Sequence, residues 1–161
     1  MAGKLAAEIQ QKKPFSTREE EAFLNLIRST EFLRQKMASL FKDFDLTGPQ
    51  YNMLRILRGA EPDGIKCSEA AERMVTPDPD VTRLLDRMEA RHLIRRDRNK
   101  EDRRVVITRI TAQGLNLVNR IDAPLHALFK DLLGHVGQRK LSTLIETLEE
   151  IRTNPKFQTG A

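Results

Sequence analysis

The stretch DVTRLLDRMEARHLIRRDRNKEDRRVVITRITAQG, residues 80–114, decides the fold of this chain. Apolar residues in its first part recur at the spacing of a helix that buries one side, namely Val81, Leu84, Leu85 and Met88. The β-branched run at 105–107 and the pair Leu93–Ile94 predict two short strands around a charged connection. The stretch therefore predicts a helix that passes into a β-hairpin.

Positive charge is concentrated in the same stretch. Residues 83–109 contain ten Lys or Arg and five Asp or Glu, a net charge of +5, and the whole 161-residue chain also carries +5. The rest of the chain is therefore neutral overall. A localised positive surface indicates a polyanionic partner such as nucleic acid, whereas the alternative is a solvated surface, which most runs of charge form.

Two capping-box spacings before this stretch predict helix starts. Ser16 with Glu19 and Thr47 with Gln50 have the spacing in which a hydroxyl and a side-chain carbonyl or carboxylate satisfy the first backbone N–H groups of a helix. Each pair is followed by apolar residues at helical spacing. A third, short helix is expected over 68–74.

Further helix starts lie on either side of the hairpin. Asp78 is expected to cap a helix that begins at Pro79, and Thr111 to cap the helix after the hairpin. The last apolar stripe, over 141–151, completes the order α-α-α-α-β-β-α-α. Two short helices followed by a basic hairpin are typical of a winged helix-turn-helix, so we predict a mostly α fold with a small β wing.

Composition excludes several classes of site. The single cysteine, Cys67, excludes an intrachain disulfide and a cysteine-based zinc site, and it is expected to be an inert thiol. Three scattered histidines do not form a metal site. We find no nucleophile–base pair, glycine-rich phosphate loop or carboxylate pair in an apolar setting, so we expect no enzyme, cofactor or metal. Without a bilayer-spanning run or signal peptide, a cytoplasmic protein with no membrane partner is expected.

Long apolar stripes remain at both ends of the chain. With a hydrophobic content of 39%, the core is lean, so we expect these stripes to pack against each other and against a second copy. The predicted organisation is a mobile arm over 1–14, an N-terminal dimerisation helix over 15–45, a winged helix-turn-helix DNA-binding domain over 46–110 and C-terminal dimerisation helices over 111–161.

Three segments, LTGPQYNMLRIL (46–57), SEAAERM (68–74) and 80–114, resemble the MarR family of bacterial transcriptional regulators. The wing signature of that family is Asp, one residue, Arg, and later Leu-Thr-x-x-Gly. This chain has DRR at 102–104 and ITAQG at 110–114. His92 occupies a turn position where the family usually has Gly and where a positive φ is often needed.

The resemblance implies a homodimer on double-stranded DNA. Two recognition helices about one DNA turn apart, ~34–36 Å, would read a pseudo-palindromic operator, with the first and last two helices forming the dimer. It also implies a pocket between the dimer helices and the DNA-binding lobe, often for small phenolic or aromatic anions. We therefore predict a ligand-responsive repressor.

On the recognition helix, the resemblance makes Arg83 the base-reading residue, because arginine fits the acceptor edge of guanine in the major groove. Arg87 is expected to contact phosphate, and Thr82 a thymine methyl or a phosphate. Asp80 is expected to cap the helix, with acceptance from a cytosine amine as the alternative.

In the wing, Arg103 resembles the arginine that enters the minor groove in this family. Asp102 is expected to orient Arg104 or Arg103 through a charge-assisted hydrogen bond. Generic phosphate contacts are expected from Arg95, Arg96, Arg98 and Lys100.

The candidate lining of the effector pocket is Met37, Phe41, Tyr51, Met53 and His126. These residue types have a simpler interpretation, because Met and aromatic residues form cores by default and a single helical His is usually a packing or surface residue. A rival function is a winged helix that docks a protein and does not read DNA. Such a surface should be less basic and more apolar than residues 83–109.

Overall fold

The computed structural model describes residues 4–98, 102 and 105–156. In chain order the elements are α1 (Leu5–Glu8), α2 (Arg18–Lys42), α3 (Gly48–Gly59), β1 (Ile65–Lys66), α4 (Cys67–Glu72), α5 (Val81–Ala90), β2 (Ile94–Arg98), β3 (Val106–Ile110), α6 (Ala112–Leu133), a 3-10 turn (Gly134–Val136) and α7 (Gln138–Arg152). The predicted mostly α fold with a small β wing is confirmed. The chain divides into two compact units, Met1–Val118 and Asn119–Ala161.

Helix starts in the first unit follow local hydrogen bonding. At α3 the predicted capping box is confirmed, since Thr47 Oγ1 accepts from the Gln50 N–H and Gln50 Oε1 accepts from the Thr47 N–H. At α2 the prediction is wrong by one residue. Thr17 is the cap, with its Oγ1 3.1 Å from the Glu20 nitrogen. Ser16 and Thr17 are both followed three residues later by Glu, so spacing alone cannot choose between them.

The sheet has three antiparallel strands in the order β1-β3-β2. The β2–β3 hairpin is the predicted wing, with Ile94 paired to Ile110. Strand β1 was not predicted, because two residues carry no alternating pattern. Its Ile65 pairs with Thr108 across 43 positions of sequence, so β1 ties the segment before α4 to the wing.

The core of the first unit lies where α3, α4 and α5 meet the sheet. Side chains exposed by 2% or less include Met53, Leu54, Leu57, Ala70, Leu84, Leu85, Met88, Leu93 and Ile94. Complete burial of one Leu, Ile or Met side chain contributes roughly 1.5–3 kcal/mol. Helix α5 and the start of β2 are therefore parts of one packed body.

Helix α2 of the first unit leaves three large apolar side chains exposed. Phe23, Ile27 and Phe32 are exposed by 62, 53 and 51%. The segment predicted as a mobile arm contains α1, whose Leu5 is only 3% exposed. The arm pattern did not indicate this helix, because four residues are too few for an apolar stripe.

The second unit contains the end of α6, the 3-10 turn and α7. Ile121 and Leu125 of α6 are buried, whereas α7 has no buried residue. Pro124 lies inside α6, Ala112–Leu133, and does not divide the helix. None of the helices in the described part of the chain is both long and apolar enough to cross a membrane.

Candidate nucleic-acid interface

Helix α5 presents two different sides. Leu84, Leu85 and Met88 are buried in the core of the first unit. The polar side carries exposed Thr82, Arg83, Asp86 and Arg87, so three of the predicted DNA-contacting residues lie together on the open side of the helix. Burial of the apolar side fixes the direction in which this open side faces.

Asp80, and not Asp78, caps α5. Its Oδ1 accepts from the Arg83 N–H at 3.2 Å, whereas Asp78 Oδ1 accepts from the Asp80 N–H at 2.8 Å. The helix therefore begins at Val81, and the expected start at Pro79 is wrong. Each aspartate accepts a hydrogen bond from a backbone N–H two or three residues later. The preference of Asp for helix starts therefore cannot tell which of the two is the cap.

The predicted base-reading arginine is already paired. Arg83 Nε lies 3.1 Å from Asp80 Oδ2, and their side chains are 81 and 47% exposed. An ion pair this exposed contributes little to stability. In this pair the guanidinium lies at the amino-terminal end of α5, which is the end that contacts base edges in helix-turn-helix complexes.

Arg87 follows one turn later. Its Nε donates to the Arg83 carbonyl at 3.2 Å, and the side chain is exposed. The contact to the backbone of its own helix leaves the rest of the guanidinium directed to solvent. This placement agrees with the predicted phosphate contact without testing it.

The wing strand β2 adds more positive charge. Arg95 is 64% exposed and its Nε lies 3.6 Å from Asp97 Oδ2, and Arg98 is also exposed. Asp102 is exposed and its carbonyl accepts from the Val105 N–H at 3.0 Å. Lys100, Arg103 and Arg104 lie outside the described residues, so their roles and the proposed orienting role of Asp102 stay predictions.

Arg96 differs from the other arginines of the wing. Its Nε and Nη2 contact Glu89 Oε2 at 2.9 and 2.5 Å, and Nη2 contacts Asp86 Oδ1 at 2.6 Å. Its hydrogen bonds hold the pKa of Glu89 below the ordinary value of 4.5, although partial burial opposes this. The pKa of Arg96 is raised by the same bonds. The sequence analysis assigned no role to Asp86 or Glu89, because their partner Arg96 lies on a different element, β2.

The turn between α5 and β2 is tightly built. His92 has φ of 56°, so the positive φ expected at this position is present without glycine. The Thr111 hydroxyl donates to the His92 carbonyl at 2.6 Å and accepts from the Gly114 N–H at 3.1 Å, which confirms Thr111 as the cap of α6. A Cβ at Gly114 would lie 2.1 Å from the Leu93 carbonyl oxygen. The T-x-x-G spacing thus fastens the turn after the recognition helix.

The candidate effector residues do not all share one environment. The rings of Phe41 and Tyr51 stack with centroids 4.7 Å apart, and both residues are at most 7% exposed. Met53 is fully buried and Met37 half-buried, so these residues contribute to packing in the first unit. His126 is exposed and belongs to the second unit.

A cavity of about 360 Å³ lies elsewhere in the first unit. Its lining consists of Lys66, Cys67, Ser68, Arg96, Val105 and Val106. The Cys67 sulfur lies 3.0 Å from the Thr108 hydroxyl. Across residues 4–98, 102 and 105–156, no group of three or more His, Cys, Asp or Glu side chains is arranged to hold a metal ion.

Comparison with known proteins decides the family. Residues 46–106 match the sequence pattern of the MarR family. A crystal structure of a MarR transcription factor from Planctomyces limnophilus is 36% identical, with a TM-score of 0.66, and the match covers 84% of this chain and 98% of that one. The chain belongs to the MarR family.

Curated relatives of this MarR-family protein are regulators. The HTH-type transcriptional regulator TtmR of Methylorubrum extorquens is 33% identical over 90 residues, 56% of this chain and 45% of TtmR. The homoprotocatechuate degradative operon repressor of Escherichia coli is 26% identical over 125 residues, 78% of this chain and 83% of the repressor. The chain spans about half the length of the first curated relatives it matches, 56 and 45%. These relatives are transcriptional regulators and not enzymes, as predicted.

Proposed function

We propose that this MarR-family protein is a DNA-binding transcriptional regulator that reads a duplex with α5 and the β2–β3 wing. The observation that carries the proposal is that Thr82, Arg83 and Arg87 are exposed on α5 and that Arg95 and Arg98 are exposed on β2 of the same unit. The same body buries the other side of α5, so helix and strand would meet DNA as one surface. This basic, polar surface favours DNA over the rival protein-docking function.

The proposed roles follow from the chemistry of each group. An α-helix fits the major groove, where the Arg83 guanidinium can donate two hydrogen bonds to one guanine. Arg87, Arg95 and Arg98 would neutralise phosphates, which fixes register without reading sequence. If about six phosphates per dimer are neutralised, affinity should fall with salt on a log–log slope near −5.

Homodimerisation is part of the proposal. Phe23, Ile27 and Phe32 of α2 are more than half exposed, and so are Ile145 and Ile151 of α7. Apolar side chains in such rows are expected to be covered by another chain. A two-fold dimer would present two α5 helices to a pseudo-palindromic operator. The organisation predicted from sequence, with dimerisation helices over 15–45 and 111–161, belongs to this proposal.

Repression and response to an effector are its finer elements. The name of the Escherichia coli relative describes a repressor of a degradative operon, and we propose repression here. A small aromatic or phenolic effector that binds better to dimers with the wrong α5 separation would shift the population away from DNA. The lining roles that the sequence suggested for Met37, Phe41, Tyr51, Met53 and His126 stay predictions. Binding to chromosomal DNA would place the protein in the cytoplasm.

The test begins with duplexes selected from a random library by the purified wild-type protein. Arg83→Ala should weaken binding about 5- to 150-fold and relax specificity at one base pair. Arg87→Ala should weaken all sequences alike and reduce the salt slope by about one. Arg139→Ala on α7 serves as the control with the same loss of charge. Failure of the wild type to bind any duplex in a salt-dependent way would refute the proposal and favour the protein-docking alternative.

A further inference from the structure

Arg96 lies on β2, in the part of the first unit proposed above to meet DNA, and its guanidinium is turned toward protein carboxylates. Its side chain is 23% exposed, against 81% for Arg83 and 64% for Arg95. A guanidinium that is mostly covered and shared between two carboxylates has few donors left for a phosphate. Arg96 therefore differs in kind from its neighbours.

Resting on the DNA binding proposed above, we propose that Arg96 is a positioning residue. Together with Glu89 and Asp86 it forms a clamp, defined by these three residues, that fixes wing strand β2 against recognition helix α5. The clamp would set the distance and angle between the groove-reading helix and the wing. Specific DNA binding would then depend on Arg96 and Glu89, although neither touches DNA.

The geometry of the clamp fixes both the side chain and the backbone. Glu89 Oε2 accepts from Arg96 Nε and Nη2, while Glu89 Oε1 accepts from the Arg96 backbone N–H at 3.0 Å. Asp86 Oδ1, one turn earlier on α5, accepts from Nη2 at 2.6 Å. One carboxylate thus holds a side chain and its main chain together, which allows β2 little freedom to slide or rotate relative to α5.

The position of β2 explains why such a contact is needed. In the strand order β1-β3-β2, β3 is the one strand beside β2 among the described residues. Hydrogen bonding to β3 fixes β2 on one side, and the clamp fixes it on the other. A helix and a wing that must enter different grooves at once bind best when their relative placement is fixed before binding.

Neutralising a carboxylate of the clamp tests the proposal, because simple electrostatics and the clamp predict opposite changes in DNA affinity. Glu89 and Asp86 are anionic groups on a surface proposed to meet phosphates, so simple electrostatics predicts that neutralising either one strengthens DNA binding. The clamp predicts the opposite for Glu89, because its loss frees β2 from α5. Asp97 provides a matched control on β2, since it is 53% exposed and contacts Arg95 and Arg109 at 3.6 and 3.5 Å outside the clamp.

The experiment compares Glu89→Gln, Arg96→Lys and Asp97→Asn on two probes. The probes are the duplex selected by the wild type and a scrambled duplex of equal length. Glu89→Gln should weaken binding to the selected duplex about tenfold or more and leave binding to the scrambled duplex equal or tighter. Asp97→Asn should leave both equal or tighten both. Arg96→Lys keeps the charge but loses the planar fork, so it should weaken the selected complex with an unchanged salt slope.

A measurement without DNA separates loosened placement from loss of fold. Hydrogen exchange at the Arg96 amide should accelerate in Glu89→Gln, because the carboxylate that accepts from this N–H becomes a neutral amide. The amides of Leu84 and Leu85 on α5 should keep wild-type protection. Arg96→Lys repeats this test if Glu89→Gln unfolds. Loss of protection throughout α5 in both variants would overturn the positioning role in favour of general folding.

The outcomes separate the two proposals. If the wild type binds no duplex with salt dependence, the DNA-binding function fails and the clamp inference fails with it. If the wild type binds but Glu89→Gln binds the selected duplex as tightly or more tightly, the DNA-binding function stands and the clamp inference is overturned. Full affinity of Arg96→Lys would overturn it as well.

Discussion

Helices α5 and α7 have similar apolar stripes but different surroundings. In α5, Leu84, Leu85 and Met88 are buried, whereas α7 has no buried residue and leaves Leu144 and Ile145 exposed by 43 and 56%. An isolated helix of this length is marginal in water, so each stripe needs a cover. An apolar stripe in the sequence therefore predicts that one side of a helix will be packed against other residues. Only the structure shows whether those residues belong to the same unit.

The largest expected loss of stability comes from replacing Gly114, at the start of α6. Gly114→Ala should destabilise the first unit by about 3 kcal/mol or more, because its Cβ would lie 2.1 Å from the Leu93 carbonyl oxygen and the backbone must move. Gly134→Ala, in the turn before α7, is the control, since its Cβ would meet Lys130 Cγ at an ordinary 3.5 Å. Urea denaturation measures both. Equal stability of the two variants would contradict the close packing after α5.

A pair of leucine truncations tests the comparison directly. Leu84→Ala should cost about 3 kcal/mol at every protein concentration, because the side chain is 1% exposed and leaves a cavity. Leu144→Ala should cost less, and its cost should depend on protein concentration if a second copy covers α7. Urea midpoints over a hundredfold range of concentration measure this. A concentration-independent loss of equal size in both would show that α7 is covered within its own chain.

A charge on the α7 stripe should change assembly more than folding. Ile145 is 56% exposed, so Ile145→Asp should leave helical content near wild type but lower the mass in solution from twice 18.5 kDa to 18.5 kDa. Sedimentation equilibrium and circular dichroism measure the two effects. Ser142→Asp, on an exposed position of the same helix, is the control. A dimer that survives Ile145→Asp would exclude this face of α7 as the interface.

The smallest expected effect is a pH dependence of stability that arises from Glu89 on α5. Because Arg96 lowers the folded-state pKa of Glu89 below 4.5, the clamp stabilises the fold above that pH. This contribution is lost as the pH falls below 4.5 through the lowered folded-state pKa. Stability of Glu89→Gln should therefore fall less steeply than that of the wild type in this range. Parallel profiles would show that Glu89 titrates normally.

Local patterns predicted most of the fold. The stripe of α5, the β-branched run of β3 and the capping box at Thr47 each act through residues a few positions apart, so the sequence alone locates them. The predictions were wrong where two nearby residues were equally good candidates for a helix cap. Ser16 competes with Thr17, and Asp78 with Asp80, and in both cases the later residue is the cap.

Long-range partners set the limit on predicting the site. Strand alternation puts Arg96 on the side of buried Ile94 and Arg95 on the other side, but Arg96 reaches Glu89 and Asp86 only after β2 folds back beside α5. Strand β1 was missed because its two residues carry no alternating pattern, and its pairing with Thr108 is remote in sequence. The exposed placement of Arg83 was predictable, since burial of Leu84 and Leu85 sends residue 83 to the open side.

The position of β2 at the edge of the sheet, as far as the structure describes the chain, has a consequence for handling the protein at high concentration. An open strand is a template on which other chains can grow into fibrils. Here its sequence is Ile-Arg-Arg-Asp-Arg, and the Arg96 N–H is already occupied by a carboxylate from α5. The neighbouring positive and negative side chains of β2 would have to lose their hydration before a strand of another chain could pair with it. Concentrated solutions should consequently resist fibril growth from the wing.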